Sequence, residues 1–506
     1  MVGKANSNVL IYYGIYDITT PMEKIALIGL GPHAKRIYYP YLIDLIDSNK
    51  KFSLELVIDL DINRKAIEEF LETQALQPKS ILYLDAKDQI SPKKIDPRAA
   101  DALRENRITK AIISTEPKAH KIYLEECVRQ EIPAVVDKPV TSPLGLTPSR
   151  VKSLVDIRQH ASTQVYKDVM SLLSSMNNKP KSRILVQCQR RNHAGYKIVT
   201  DTMSEIVQEY GIPVTFIDIH HSDGMWNMPD EFIYRENHPY KYGYGKLMHS
   251  GYHFVDLLTS IEKINMSVAD KIPDTVNIFS QAVRPVDQHT TVAADQYYKF
   301  FGKSVADKIV PDMQRREVRN YGEIDSFSQM QFTRKGKVIT TAQLSLMQSG
   351  FSRRAWAELP KDTYKANGRV RHEFIDIHIG PLCSVQVHSY QSTEVANQPG
   401  QPYGPGDKNH FDIYIFRNSD LIGGKPFEHI KYGGMDAAEH KSNSYLGHNE
   451  EARRQTLDEL MFDLPSNSEL EQHISTNKML SAIYKNHIKQ HYNKAPYSKF
   501  KFKDIF

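Results

Sequence analysis

Lys24-Ile25-Ala26-Leu27-Ile28-Gly29-Leu30-Gly31-Pro32-His33-Ala34 is the stretch whose reading decides the fold. Ile25 to Ile28 is a continuous apolar run, the pattern of a parallel strand covered on both faces. The run ends in G-x-G-x-x-A. Gly29 permits a sharp turn off the strand, Gly31 lets the backbone approach a bound group, and the small Ala34 lets the next helix pack closely. Working outward, Leu54-Glu55-Leu56-Val57-Ile58-Asp59 is a second strand, closed by an acid. Asn63 to Leu71 follows as a helix, with Ala66, Ile67 and Phe70 at helical spacing. Pro40 sits where a first short helix gives way to a second, since proline suits a helix start and not its interior. Ala111 to Ser114 is a further strand running into Thr115-Glu116-Pro117, and a helix spans Lys118 to Arg129. Ala134 to Val136 then leads into Asp137-Lys138-Pro139. Strand and helix alternating at this spacing predict a doubly wound parallel sheet, a Rossmann-type domain over residues 21–145.

The chain has 506 residues, enough for a second large domain at 146–506, with 1–20 as an extension. A hydrophobic fraction of 40% and a charged fraction of 25% are ordinary for a globular protein with a sizeable core. The net charge of +5 comes from 65 basic and 60 acidic residues without a concentrated basic face, which argues against a nucleic-acid partner. Cys127, Cys188 and Cys383 lie far apart, the usage of a reducing compartment and not of a disulfide framework or zinc-thiolate site. No apolar run approaches the roughly 18–20 residues of a membrane span, and no signal-peptide pattern opens the chain, so a cytoplasmic location is expected.

Beyond residue 145 the expected elements are a helix over Val151–Ile157, a strand over Arg183–Gln189 and a helix over Tyr196–Tyr210. A strand over Val214–His220 and a helix over Lys246–Leu258 follow. After Val276 strands dominate, with partial alternation that predicts a large, mostly antiparallel sheet with one face open. Two helices, about 449–461 and 468–490, close the chain. Loops at 223–245 and 393–410 are expected to shape a pocket.

The helix behind Gly31 offers free N–H groups and a positive dipole end to phosphate. Strand, glycine turn, helix and terminal acid together point to a dinucleotide, against the alternative of a purely structural turn. Asp59 would accept hydrogen bonds from ribose hydroxyls and repel a 2′-phosphate, favouring NAD over NADP, a preference that nearby Arg64 could soften. Lys138 ends a parallel strand, where open α/β sheets bind ligands, and its side chain could reach a substrate hydroxyl or simply face water. His249 and His253, four apart on the expected helix, share a face. They could be a catalytic pair, a metal pair with His220, His221, Asp223 or His238, or a polar helix face. The glutamate of H-E-x-x-H is missing, which argues against zinc, and no metal is expected.

Gly29-Leu30-Gly31-Pro32-His33-Ala34, Thr115-Glu116-Pro117-Lys118-Ala119-His120, Asp137-Lys138-Pro139 and His249-Ser250-Gly251-Tyr252-His253 resemble the Gfo/Idh/MocA oxidoreductases. The likeness runs from about 22 to 350 and more loosely beyond. Gln187-Cys188-Gln189-Arg190-Arg191-Asn192 looks like that family's N-R-R segment. The resemblance implies a Rossmann domain joined to an α/β domain on a large open sheet, whose free face makes a homodimer or homotetramer. It implies that Gly29, Gly31, Pro32, His33, Ala34, Asp59, Arg64, Thr115, Pro117, His120, Asp137 and Lys138 line the cofactor. Lys138 matches the lysine of the family's E-K-P, with Asp137 in place of glutamate, and His253 matches the general base of D-x-x-x-H. His249 stands where that motif has aspartate; a charged histidine there would depress the pKa of His253. Arg191, Trp226 and Tyr244 are the expected substrate wall. The implied activity is hydride transfer between NAD, with NADP as the alternative, and a sugar, cyclitol or related small polar substrate. A recycled, tightly held cofactor (glycosidase or epimerase type) and a non-catalytic dinucleotide-binding regulator are the alternatives.

Overall fold

The computed structural model describes residues 22–85, 94–142, 154–235, 238–353, 370–392, 404–407, 409–433 and 447–506. The extension at 1–20 and most of the 393–410 loop lie outside them. Six parallel strands form the first sheet in the order β3-β2-β1-β4-β5-β6. They are β1 (Glu23–Ile28), β2 (Phe52–Leu60), β3 (Ser80–Leu84), β4 (Lys110–Ile113), β5 (Ala134–Asp137) and β6 (Ile184–Gln187). Successive side chains of β1 enter opposite cores. Ile25 and Leu27 pack with Tyr38, Tyr39 and Leu42 on one face, while Ala26 and Ile28 pack with Leu124 and Cys127 on the other. That two-sided burial is why these strands read as unbroken apolar runs.

Two segments beyond residue 145 join the layer of the parallel sheet. The sixth strand comes from residues 184–187, and the helix His448–Met461 returns to the same layer. Leu457, Leu460 and Met461 from that helix share the core of Ile25 and Leu27, and Tyr41 donates to Asp458 Oδ1 at 2.7 Å. Closing the exposed face of the parallel sheet is the physical gain.

The second sheet has nine strands, in the spatial order Phe427–Lys431, Asp412–Arg417, Cys383–Ser392, Val370–Ile379, Phe216–Ser222, Lys337–Met347, Asp325–Arg334, Thr275–Val283 and Tyr497–Lys501. Only Phe216–Ser222 and Lys337–Met347 pair in parallel. Its inner face (Ile217, Ile219, Ile278, Leu344, Ile377, Val385) packs on the helices Tyr252–Ile264 and Ile474–His491 through Phe254, Leu258, Met479 and Ile483. Among the described residues, no helix is long and apolar enough to cross a membrane.

Glu262 lies in that buried helix with Oε1 unbonded among the described residues, while Oε2 accepts from Asn265 at 3.3 Å. Burial raises its carboxyl to about 8, against the lowering effect of bonds from Asn265 and Thr340. The folded chain therefore favours the protonated acid. Its contribution is fully present below the unfolded value of about 4.3 and declines as pH rises toward about 8. Glu262→Gln is expected to raise the melting temperature at neutral pH, by up to roughly 3 kcal/mol of stability, and to give no gain near pH 4. An equal effect at both pH values would show that the carboxyl does not titrate this way.

Candidate functional site

Gly29 holds φ at +91°, and a Cβ there would stand 2.6 Å from the Ser114 carbonyl oxygen. The turn therefore lies flat against the end of β4, a conformation and an approach that glycine alone permits. At Gly31, by contrast, nothing lies within 4 Å of where a Cβ would be. Pro32 then starts the helix Pro32–Arg36, setting φ where its missing N–H costs no bond. Open space ahead of a glycine and a helix start suits a diphosphate. Asp59 stabilises this loop: Oδ2 accepts from the Leu30 amide at 2.6 Å, and Oδ1 accepts from the Leu60 amide at 2.7 Å and Asn63 Nδ2 at 2.8 Å. A carboxylate has about four acceptor positions, so one remains for a ribose hydroxyl. Arg64 is bound to Asp61 at 2.8 and 2.6 Å, and its guanidinium lies 4.1 Å from the centre of the Tyr83 ring. Its charge is thereby partly satisfied within the chain.

Asp137, at the end of β5, knits this turn to the site. It accepts from the Tyr38 hydroxyl and from Ser114 Oγ at 2.7 Å, and His33 Nε2 stands 3.6 Å away. Burial lowers the pKa of His33 despite Asp137. His120 presents Nδ1 to the Pro139 carbonyl at 3.0 Å and Nε2 to the Thr115 carbonyl at 2.9 Å, tying the loops after β4 and β5 together. Pro117 begins the helix Pro117–Gln130, directly after Thr115 and Glu116. The Lys138–Pro139 peptide is cis.

Lys138 crosses from the parallel sheet to the second domain: its Nζ donates to the main-chain carbonyl of His249 at 2.5 Å. Burial brings its amine down to about 8, with Asp137, Cys188 and Asp223 opposing the shift. The helix expected from Lys246 starts only at Tyr252 and runs to Ile264. Residues before it wind as turns, with the amides of Met248 and His249 both donating to Gly245 at 3.0 Å and Gly251 donating to Lys246 at 2.8 Å. Buried Lys246 is held out of the helix by Asp223, whose Oδ2 accepts its Nζ at 2.6 Å and Ser250 Oγ at 2.7 Å. His249 is consequently in a turn, not one helical turn before His253 on a shared face. Its ring packs 4.8 Å from that of His238 and beside Tyr240 and Tyr244, and its Nε2 makes no hydrogen bond among the described residues. Burial, then His238, holds His249 well below the usual histidine range. Burial, then Arg190 and Lys138, does the same to His253. Both rings are neutral near pH 7, so His249 adds no charge beside His253.

The three residues expected to line substrate are placed differently from one another. Tyr244 is buried near His249. Trp226 donates to the Tyr297 hydroxyl at 3.2 Å and packs against a satellite core of Met228, Val305 and Ile309. Arg191 spends its guanidinium on the protein, bonding Asp256 at 2.8 and 2.7 Å, Asn467 O at 2.6 Å, Gln472 O at 3.0 Å and Gln472 Oε1 at 3.4 Å. Five donors meet five acceptors, which leaves none for a substrate. Asp256 had no sequence signal, and neither the metal reading of His238 nor the segment that contains Cys188 pointed to the places these residues take beside His249 and His253. Among the described residues no group of three histidine, cysteine or acidic side chains is arranged to hold a metal.

Solved structures of NAD-binding oxidoreductases share this two-sheet fold. An oxidoreductase of Agrobacterium radiobacter in complex with NAD+, L-tartaric acid and magnesium superposes with a TM-score of 0.51 at 12% identity, covering 96% of this chain and 99% of its own. The WlbA dehydrogenase of Bordetella pertussis, in complex with NADH and UDP-GlcNAcA, has a TM-score of 0.51 at 11% identity over 95% and 99% of the two chains. Its counterpart from Chromobacterium violaceum, with the same two ligands, has a TM-score of 0.52 at 13% identity over 97% and 99%. At these identities the likeness is one of fold. No family model and no curated protein sequence matches the chain.

Proposed function

We propose that this chain is an NAD-dependent oxidoreductase acting between a secondary alcohol and a ketone of a sugar, cyclitol or related polar metabolite. One observation carries the reading: the amine of Lys138, at the carboxyl end of β5, is docked on the turn that delivers His253. The glycine turn and the open space at Gly31 suit the diphosphate of a dinucleotide, and the remaining acceptor on Asp59 suits an unphosphorylated ribose. Bound nicotinamide would supply the hydride acceptor. The chain's residues do the rest. His253, neutral through burial, takes the hydroxyl proton as general base. Lys138, charged below about pH 8, orients that oxygen and stabilises the negative charge growing on it. Neutral His249 anchors Lys138 through its carbonyl and leaves Nε2 for a polar group of the substrate.

A second copy is part of the same reading. Phe279, Phe327, Phe416, Phe427 and Tyr497, all on strands of the nine-stranded sheet, remain exposed, as befits a face that another copy covers. The test is to screen polar metabolites with NAD and with NADP, following reduced nicotinamide by absorbance and particle mass by light scattering. NADH should accumulate with an alcohol substrate and NAD should raise the melting temperature more than NADP. Substrate conversion without net NADH would replace this reading by a recycled cofactor, and no thermal response to either dinucleotide would overturn it.

A further inference from the structure

Among the described residues no carboxylate bonds the proton-accepting histidine directly, and the structure supplies another route. Cys188 follows the last residue of β6 and is fully buried. Its Sγ lies 3.4 Å from Nδ1 of His253 and 3.4 Å from Oδ2 of Asp256. We propose that Cys188 is a positioning residue, whose thiol holds His253 in the Nδ1–H tautomer and transmits the charge of Asp256 to it. This rests on the reading of His253 as general base.

The hydrogen bonds permit one polarity. Asp256 accepts from Arg191 Nε and Nη2 at 2.8 and 2.7 Å and from Thr476 at 2.7 Å, with His473 Nδ1 at 3.3 Å. Burial pushes its carboxyl up, but Arg191 and His473 outweigh it and keep it ionised. An ionised carboxylate only accepts, so the S–H donates to Oδ2. Burial and the nearby carboxylate keep that thiol protonated. The sulfur then turns a lone pair toward His253, so Nδ1 must carry the ring proton. A neutral imidazole has one donor and one acceptor, which leaves Nε2 as the base. When Nε2 takes the substrate proton, the Nδ1–H of the resulting cation points at a sulfur polarised by Asp256. The other charges acting on this ring (Arg190, Lys138 and Arg453) disfavour the cation, and Asp256 alone among them favours it. Separation through the thiol tempers that help, which fits the low pKa of the ring.

The experiment uses the full chain with 15N-labelled histidine, the His253 signals being identified by their loss in His253→Asn. The expected result is an Nδ1–H tautomer in the unaltered protein and a shift toward Nε2–H or a mixture in Cys188→Ala. Cys188→Ser should retain part of the preference, because a hydroxyl reaches hydrogen-bond distance of only one partner across gaps set by sulfur. In kinetics, Cys188→Ala should lower kcat about tenfold at unchanged KM and move the acid limb of the pH profile downward. An Nε2–H tautomer in the unaltered protein, or no tautomer change in Cys188→Ala, overturns the proposal whatever happens to kcat. A changed tautomer with unchanged kcat and pH profile overturns it too. Absence of any turnover in the unaltered protein would sink the oxidoreductase reading, and the tautomer measurement would still decide what the thiol does.

Discussion

Replacing Lys138 or His253 with alanine is expected to lower turnover by about 10²–10⁴-fold each while leaving NAD affinity within a few-fold of its starting value. The separation follows from geometry. The groups that suit the dinucleotide sit at the glycine turn and Asp59, whereas Lys138 bonds the turn that leads into the helix of His253. The pH profile adds a second test. Lys138 titrates at about 8, so activity should fall as pH rises through that value, when the amine loses the charge that stabilises the substrate oxygen. Lys138→Ala should lack this alkaline limb. His253 should place no limb near neutrality, because burial has moved its titration well below the usual range. Steady-state kinetics across pH, with NAD binding measured by calorimetry, checks all of it. Turnover that survives both substitutions would remove Lys138 and His253 from the chemistry.

Arg191→Met should cost about 3–5 kcal/mol of stability, the penalty for leaving a buried carboxylate without its partner. Asp256 is buried in the same helix as His253, and Arg191 provides two of its bonds. In the unaltered protein the carboxyl sits well below its ordinary value, so the stability it contributes is present above about pH 4 and is lost as pH falls further. Without Arg191 the carboxyl should instead rise in pKa, and the folded state would then prefer the protonated acid. The gap in melting temperature between the two proteins should accordingly be wide at neutral pH and narrow near pH 4. A uniform gap at both values would mean that lost packing, not charge, accounts for the loss.

What the order of residues determined by itself is the dinucleotide-type half and its turn. Ile25 to Ile28 could only be a strand buried on both sides, and Gly29 and Gly31 follow it at the one spacing that frees a helix start. The long strands at 275–283, 325–334, 337–347, 370–379 and 383–392 were legible because alternating burial over many residues is a local signal. Short edge strands such as Phe427–Lys431 and Tyr497–Lys501 were not, since pairing rather than periodicity makes them strands. Only the tertiary structure decided the interior of the site. Arg191 reads as a wall residue until Asp256, Asn467 and Gln472 claim its donors, and His249 reads as helical until Asp223 draws Lys246 away. Cys188 reads only as one of three scattered cysteines until the fold sets it between His253 and Asp256, 65 and 68 residues further on. Hydrogen-bond partners of buried polar groups are chosen by how distant segments pack, and no local spacing encodes that choice.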